Sequence, residues 1–124
     1  MAPARRVLLA IEHPAVREAL HALLDGEPGV QVVREAVTLR ETVVLTRGCT
    51  PDVLIVGANL ADGSALQGVI QLKYASPRTR IIVVTMQTSP DFAARALEMG
   101  AHRVIPLDRA HDQLVPAILS TAYA

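Results

Sequence analysis

Apolar residues follow two alternating patterns along the chain. Five short runs have strand length and no polar face: Val7 to Ile11, Val30-Gln31-Val32-Val33, Val53 to Val56, Arg80 to Thr85 and Arg103 to Pro106. Between them, apolar residues recur every three or four positions, as on one side of a helix. In the first such segment Val16, Leu20, Leu23 and Leu24 form the stripe. Arg17, Glu18, His21 and Asp25 face away, Pro14 suits the first turn, and Gly26 to Gly29 ends it. Thr38 with Glu41 three residues on predicts a capped second helix, with Leu39, Val43 and Val44 inward and Gly48 at its end. Ala65 to Tyr74 reads as the third helix. Ser89-Pro90-Asp91 opens a fourth that stops at Gly100, and residues 110–123 form the fifth, which Pro116 should kink or delay.

Five strand-helix units whose strands are apolar throughout predict a parallel sheet covered on both faces. At 124 residues the natural solution is one domain, 1–124: an α/β, flavodoxin-like (βα)5 three-layer sandwich with strand order 2-1-3-4-5. Ligands of such sheets bind beyond the carboxyl ends of the strands, which directs attention to the loops after Ile11, Val56, Thr85 and Ile105.

Composition narrows the chemistry. Twelve basic and twelve acidic residues give zero net charge, and the basic ones are scattered, so direct nucleic-acid binding is not expected. The first apolar run is too short for a signal-peptide core or a membrane span, and the single Cys49, read as a loop residue, suits a reducing cytoplasm. His13, His21, His102 and His111 lack ligand spacing, so no metal is expected, and strand one leads into no Gly-rich or Ser/Thr-rich phosphate loop, so no cofactor is expected either. Asp62-Gly63-Ser64 reads as turn and cap chemistry, with no phosphate-loop Lys behind it.

Several stretches, in order, carry a family resemblance: Glu12-His13-Pro14-Ala15-Val16-Arg17-Glu18-Ala19-Leu20, Pro51 to Val56, Leu60-Ala61-Asp62-Gly63-Ser64-Ala65-Leu66, Val84-Thr85-Met86 and Ala96-Leu97-Glu98-Met99-Gly100-Ala101. Along nearly its whole length the chain resembles the response regulator receiver domain, most of all receivers that precede a helix-turn-helix output domain. The resemblance implies an acceptor Asp ending strand three, two acids after strand one that hold Mg²⁺, a Thr or Ser ending strand four, and a Lys and an aromatic in strand five. Here those positions hold Gly57, Ile11-Glu12, Thr85, Leu107 and Val104. Glycine supplies no nucleophilic oxygen, one carboxylate is a poor Mg²⁺ site, and leucine cannot neutralise a phosphoryl group.

The chain thus reads as an aspartate-less receiver. Gly57 either leaves a hole or permits a tight turn, and Glu12 is either a vestigial ligand or an acid favoured near a helix N-terminus. Three functions compete. One is an interaction or dimerisation module of a signalling or transcription-regulatory protein. Another is a sensor that takes a small metabolite in the emptied site, and the last, an enzyme, lacks a nucleophile-base pair. Phe92, Ala96 and Met99 on the fourth helix, and Leu114, Val115, Ile118, Leu119 and Tyr123 on the fifth, offer more apolar surface than one stripe needs. A homodimer or protein partner contact centred on the fifth helix is the corresponding expectation.

Overall fold

A computed structural model describes residues 3–86 and 89–120. Five parallel strands form the sheet: β1 (Arg5–Ala10), β2 (Val30–Ala36), β3 (Val53–Gly57), β6 (Arg80–Thr85) and β7 (Arg103–Pro106). Two further strands, β4 (Asn59–Leu60) and β5 (Gly63–Ser64), make a small antiparallel hairpin. The helices are α1 (Pro14–Asp25), α2 (Leu39–Cys49), α3 (Ala65–Ala75), α4 (Pro90–Met99) and α5 (Ala110–Ser120). Sheet order is β2-β1-β3-β6-β7. Apart from the unanticipated hairpin, this is the expected 2-1-3-4-5 order, because continuously apolar strands bury both faces only when helices cover each side.

Alternate residues of each strand feed two cores. Val7, Leu9, Ile55 and Ile82 meet Leu20, Leu24, Leu114 and Ile118 of α1 and α5. Leu8, Ala10, Leu54 and Val83 meet Val43, Val69, Leu72 and Ala96 of α2, α3 and α4. Between Val7 and Leu8 the β1-β2 register slips: Val7 pairs with Val32 and Leu8 with Arg34, so Val33 is an extra residue.

The helix ends follow local chemistry. Thr38 Oγ1 accepts from Glu41 N–H at 3.0 Å, and Glu41 Oε1 accepts from Val37 N–H at 2.8 Å. α2 runs through Gly48 and ends where Thr50 turns left-handed at φ 41°, which makes Cys49 the last helical residue rather than a loop residue. Its inner face also differs from expectation. Val44 is 63% exposed, whereas Thr42 and Thr46 are buried, Thr42 Oγ1 donating to the Thr38 carbonyl at 2.7 Å. α5 starts at Ala110 and continues past Pro116, so the proline does not delay it.

Candidate functional site

Parallel pairing brings the strand ends level at the carboxyl edge: Ala10 faces Val56, Gly57 faces Val84 and Thr85 faces Pro106. The loops beyond enclose an open recess of about 300 Å³, lined among others by Ile11, Glu12, Gly57, Thr85 and Leu107. All five positions singled out in the sequence therefore meet.

The lining of that recess is mostly apolar. Ile11 is 4% exposed and joins the α1/α5 core, against which Leu107 also packs. A Cβ placed on Gly57 would stand 3.5 Å from Ile11 Cδ1 and 3.8 Å from the Ala10 and Asn59 carbonyls, ordinary contact distances. Positive φ among the described glycines occurs at Gly63 and Gly100, not at Gly57. The tight-turn reading of Gly57 is thereby corrected, since neither its φ nor the space for a Cβ requires glycine there. Thr85 is buried, Glu12 is exposed, and Glu12 supplies the one carboxylate in the lining.

Two side chains hold the surrounding loops, Arg17 in a place other than the one expected and Asp62 in the turn and cap role read for it, though on α2. Arg17, expected on the outer face of α1, folds back so that Nη1 donates to the Ile11 carbonyl at 2.9 Å and the Glu12 carbonyl at 3.2 Å. Its Nε lies 3.3 Å from Glu35 Oε1, and Glu35 Oε2 also meets His21 Nδ1 at 2.7 Å. Asp62, in the β4-β5 turn, accepts from the first two amides of α2, Leu39 N–H and Arg40 N–H. These bonds hold its carboxyl below the usual value of 3.8. Ser64 caps α3, its Oγ accepting from Leu66 N–H at 3.2 Å.

The family model described as the response regulator receiver domain matches residues 7–119. The chain belongs to that family.

This receiver domain is 28% identical over 113 residues to the DNA-binding transcriptional activator DevR/DosR of Mycobacterium tuberculosis, covering 91% of this chain and 52% of that protein. It is 25% identical over 116 residues to the nitrate/nitrite response regulator NarL of Escherichia coli, covering 94% and 54%. The chain thus spans about half the length of these curated relatives. Among solved structures it is similar to a LuxR-family two-component response regulator from Aurantimonas, with 30% identity, TM-score 0.89 and coverage of 94% and 84%. It also shares its fold with the response regulator domain of Thermotoga maritima CheB, at 21% identity, TM-score 0.85 and coverage of 94% and 95%.

The receiver's helix faces revise the expected partner surface. Ala96, Leu114 and Ile118 are core residues, fully buried within the chain. Phe92 and Met99 lean on the α2/α3/α4 core, as does Val104, and Val115 leans on the other core. Leu119 is 43% exposed, and its Cδ2 would lie 3.1 Å from a Cβ on Gly29, so it rests on the α1-β2 loop. Tyr123 lies outside the described residues. The apolar surplus of α5 is therefore mostly core, because the helix packs between β7 and α1 and buries a wider arc than one stripe.

What remains is a groove of about 440 Å³ where α1 meets the start of α5, lined by Ala15, Val16, Ala19, Leu20, Leu23, Leu107, Ala110 and His111. Among the described residues no three His, Cys, Asp or Glu side chains cluster as a metal site, and no helix is long and apolar enough to cross a membrane.

Proposed function

We propose that this receiver domain takes no phosphoryl group and works as an interaction module of a transcriptional response regulator, pairing with a second copy of itself. The observation that carries this reading is the packing of Ile11 against Gly57. The place where a receiver needs an acceptor oxygen and metal ligands is lined mostly by apolar groups, and the single carboxylate of Glu12 is too poor a donor set for Mg²⁺. Leu107 brings no charge to the same wall. With nothing to phosphorylate, the module's output depends on its surface. The α1-α5 groove is an apolar surface of suitable shape, with small Ala15 and Ala19 that allow close approach of a two-fold partner.

The metabolite-sensing reading requires an enclosed cavity at the emptied site. The recess there is open, and Ile11 occupies its inner side, which favours the interaction reading.

Two measurements test the proposal. Incubation with acetyl phosphate and Mg²⁺, followed by intact mass spectrometry, is expected to leave the mass unchanged, and a stable phosphoryl adduct would overturn the loss of phosphorylation. Sedimentation at roughly micromolar concentration is expected to show a dimer that Ala19→Asp converts to monomer, because a charge at an interface centre is unpaired and desolvated. A monomeric parent chain, or a dimer indifferent to Ala19→Asp, would overturn the pairing.

A further inference from the structure

The opposite, amino-terminal edge of the sheet holds a concentration of charge that the receiver function does not use. A cavity of about 570 Å³ opens there between the end of α3 and the starts of β3, β6 and β7, and Lys73, Arg78, Arg80 and His102 line it with one carboxylate, Asp52. Three permanent or near-permanent cations meet one anion, in a chain whose overall charge is zero.

The lining is fixed in place from behind. Thr79 Oγ1 donates to the Pro51 carbonyl at 2.7 Å, and Ser76 Oγ meets Thr79 Oγ1 at 2.6 Å, both hydroxyls being buried. Asp52 Oδ2 is engaged by the Arg6 N–H at 2.8 Å. Lys73 Nζ donates to the Pro77 carbonyl at 3.1 Å, while its stem lies along Gly100, where a Cβ would come within 3.0 Å of Lys73 Cγ. Lys73 and Arg78 form no ion pair among the described residues.

The histidine is set as a donor. His102 Nδ1 accepts from Ile81 N–H at 3.0 Å, so the ring proton of the neutral imidazole sits on Nε2. Burial, then the charges of Lys73 and Arg80, hold its pKa below the ordinary 6.5. Lys73 is likewise lowered, by burial first and by Arg80 second. These groups repel one another, and a multivalent anion between them relieves that repulsion.

We infer that this cavity binds a small ligand carrying two or more linked phosphate groups. The guanidinium fork of Arg78 matches phosphate oxygens, the Lys73 ammonium adds a point charge, the charge of Arg80 adds to the field, and His102 Nε2–H adds a neutral donor. The space exceeds what one phosphate fills, and the number of cations exceeds what one monoanion balances. The site lies at the far edge of the sheet from Gly57, so it stands or falls independently of the phosphorylation and pairing readings.

The test is calorimetric titration of the full chain with inorganic pyrophosphate at constant ionic strength, with amide spectra recorded in parallel. Saturable one-to-one binding that moves the Ile81 and His102 amides is expected. Lys73→Gln and Arg78→Gln should each weaken it by roughly tenfold, the usual effect of losing one charge-assisted bond, while Lys73→Arg retains it. Arg78 is exposed, so its variant folds whatever happens at Lys73. ATP in a second arm separates the sources: affinity equal to pyrophosphate means that phosphates alone are read, and tighter binding means that a nucleoside contributes as well. Absence of saturation, the same spectral changes with sodium chloride, or unchanged affinity in both Gln variants would overturn the inference.

Discussion

The two edges of one parallel sheet have opposite chemistry. At the carboxyl edge, Ile11, Gly57 and Leu107 make an apolar wall with the buried Thr85, and Glu12 is the one acid. At the amino edge, Lys73, Arg78, Arg80, His102 and Asp52 surround a polar cavity. The same strands, β3, β6 and β7, lead into both. The contrast teaches that strand apolarity secures the fold, while the residues just outside each strand end decide its chemistry, and these can change without disturbing the sheet.

The largest expected effect falls on the apolar edge. If Ile11 now belongs to the core, Ile11→Asp lowers unfolding stability in urea by about 2–4 kcal/mol, through lost burial and a poorly hydrated carboxylate. A loss under about 1 kcal/mol would show that this edge is solvated like the other. Next comes a pair of glycines, one from each edge. Gly100 sits at φ 121° with Lys73 close by, so Gly100→Ala should cost about 1–3 kcal/mol in strain and crowding. Gly57→Ala, with normal φ and room for a Cβ, should stay within about 0.5 kcal/mol in the same urea unfolding. Equal costs would erase the distinction.

A smaller effect is written in pH. His102 has a lowered pKa in the folded chain, so its contribution is fully present above 6.5 and is lost as pH falls from there through the folded value. His102→Gln keeps an acceptor for Ile81 N–H and should flatten that part of the stability profile relative to the parent. NMR titration of the ring should place its midpoint below 6.5, and a midpoint at or above that value contradicts the cavity electrostatics. The smallest effect belongs to Asp62. Its carboxyl is also lowered, so its support of α2 is present above 3.8 and fades as acid protonates it below that. Asp62→Asn should lower the urea midpoint slightly at neutral pH, since the amide keeps one acceptor oxygen for two N–H groups and no charge at the helix N-terminus, and make the acid limb shallower. An acid limb identical to the parent's would show that the two α2 amides do not depend on the charge.

Legibility followed the range of each interaction. The strands and their order were readable because Val7 to Ile11 and Val53 to Val56 are apolar without interruption, a signal internal to each segment. The cap of α2 was readable because Thr38 and Glu41 are three residues apart. The second cap on that helix was not, because Asp62 stands 23 residues from Leu39 and its sequence neighbours describe only a turn. The α2 face was misjudged at Val44 because Thr42 buries its hydroxyl by bonding the Thr38 carbonyl, a saving that hydrophobicity alone does not register. At the candidate site, the residue identities were legible and their convergence followed from topology. Arg17 escaped notice because it bonds carbonyls, which every residue carries. The basic cavity escaped because Lys73, Arg78 to Arg80 and His102 are scattered along the chain and meet only in the fold.

The extra residue at Val33 bears on how copies of this chain can assemble. β2 is an edge strand, and an edge strand with regular hydrogen bonding is a template on which further chains stack into fibres. Here the bulge breaks the repeat midway, the Val33 carbonyl is already taken by Arg34 Nη1 at 2.8 Å, Gln31 and Arg34 are exposed, and Glu35 is held by Arg17 and His21. The other edge, β7, is four residues long and ends in Pro106, which has no amide hydrogen to offer. Sheet-to-sheet polymerisation is thus discouraged on both sides, which leaves helix surfaces as the route to closed, finite assemblies.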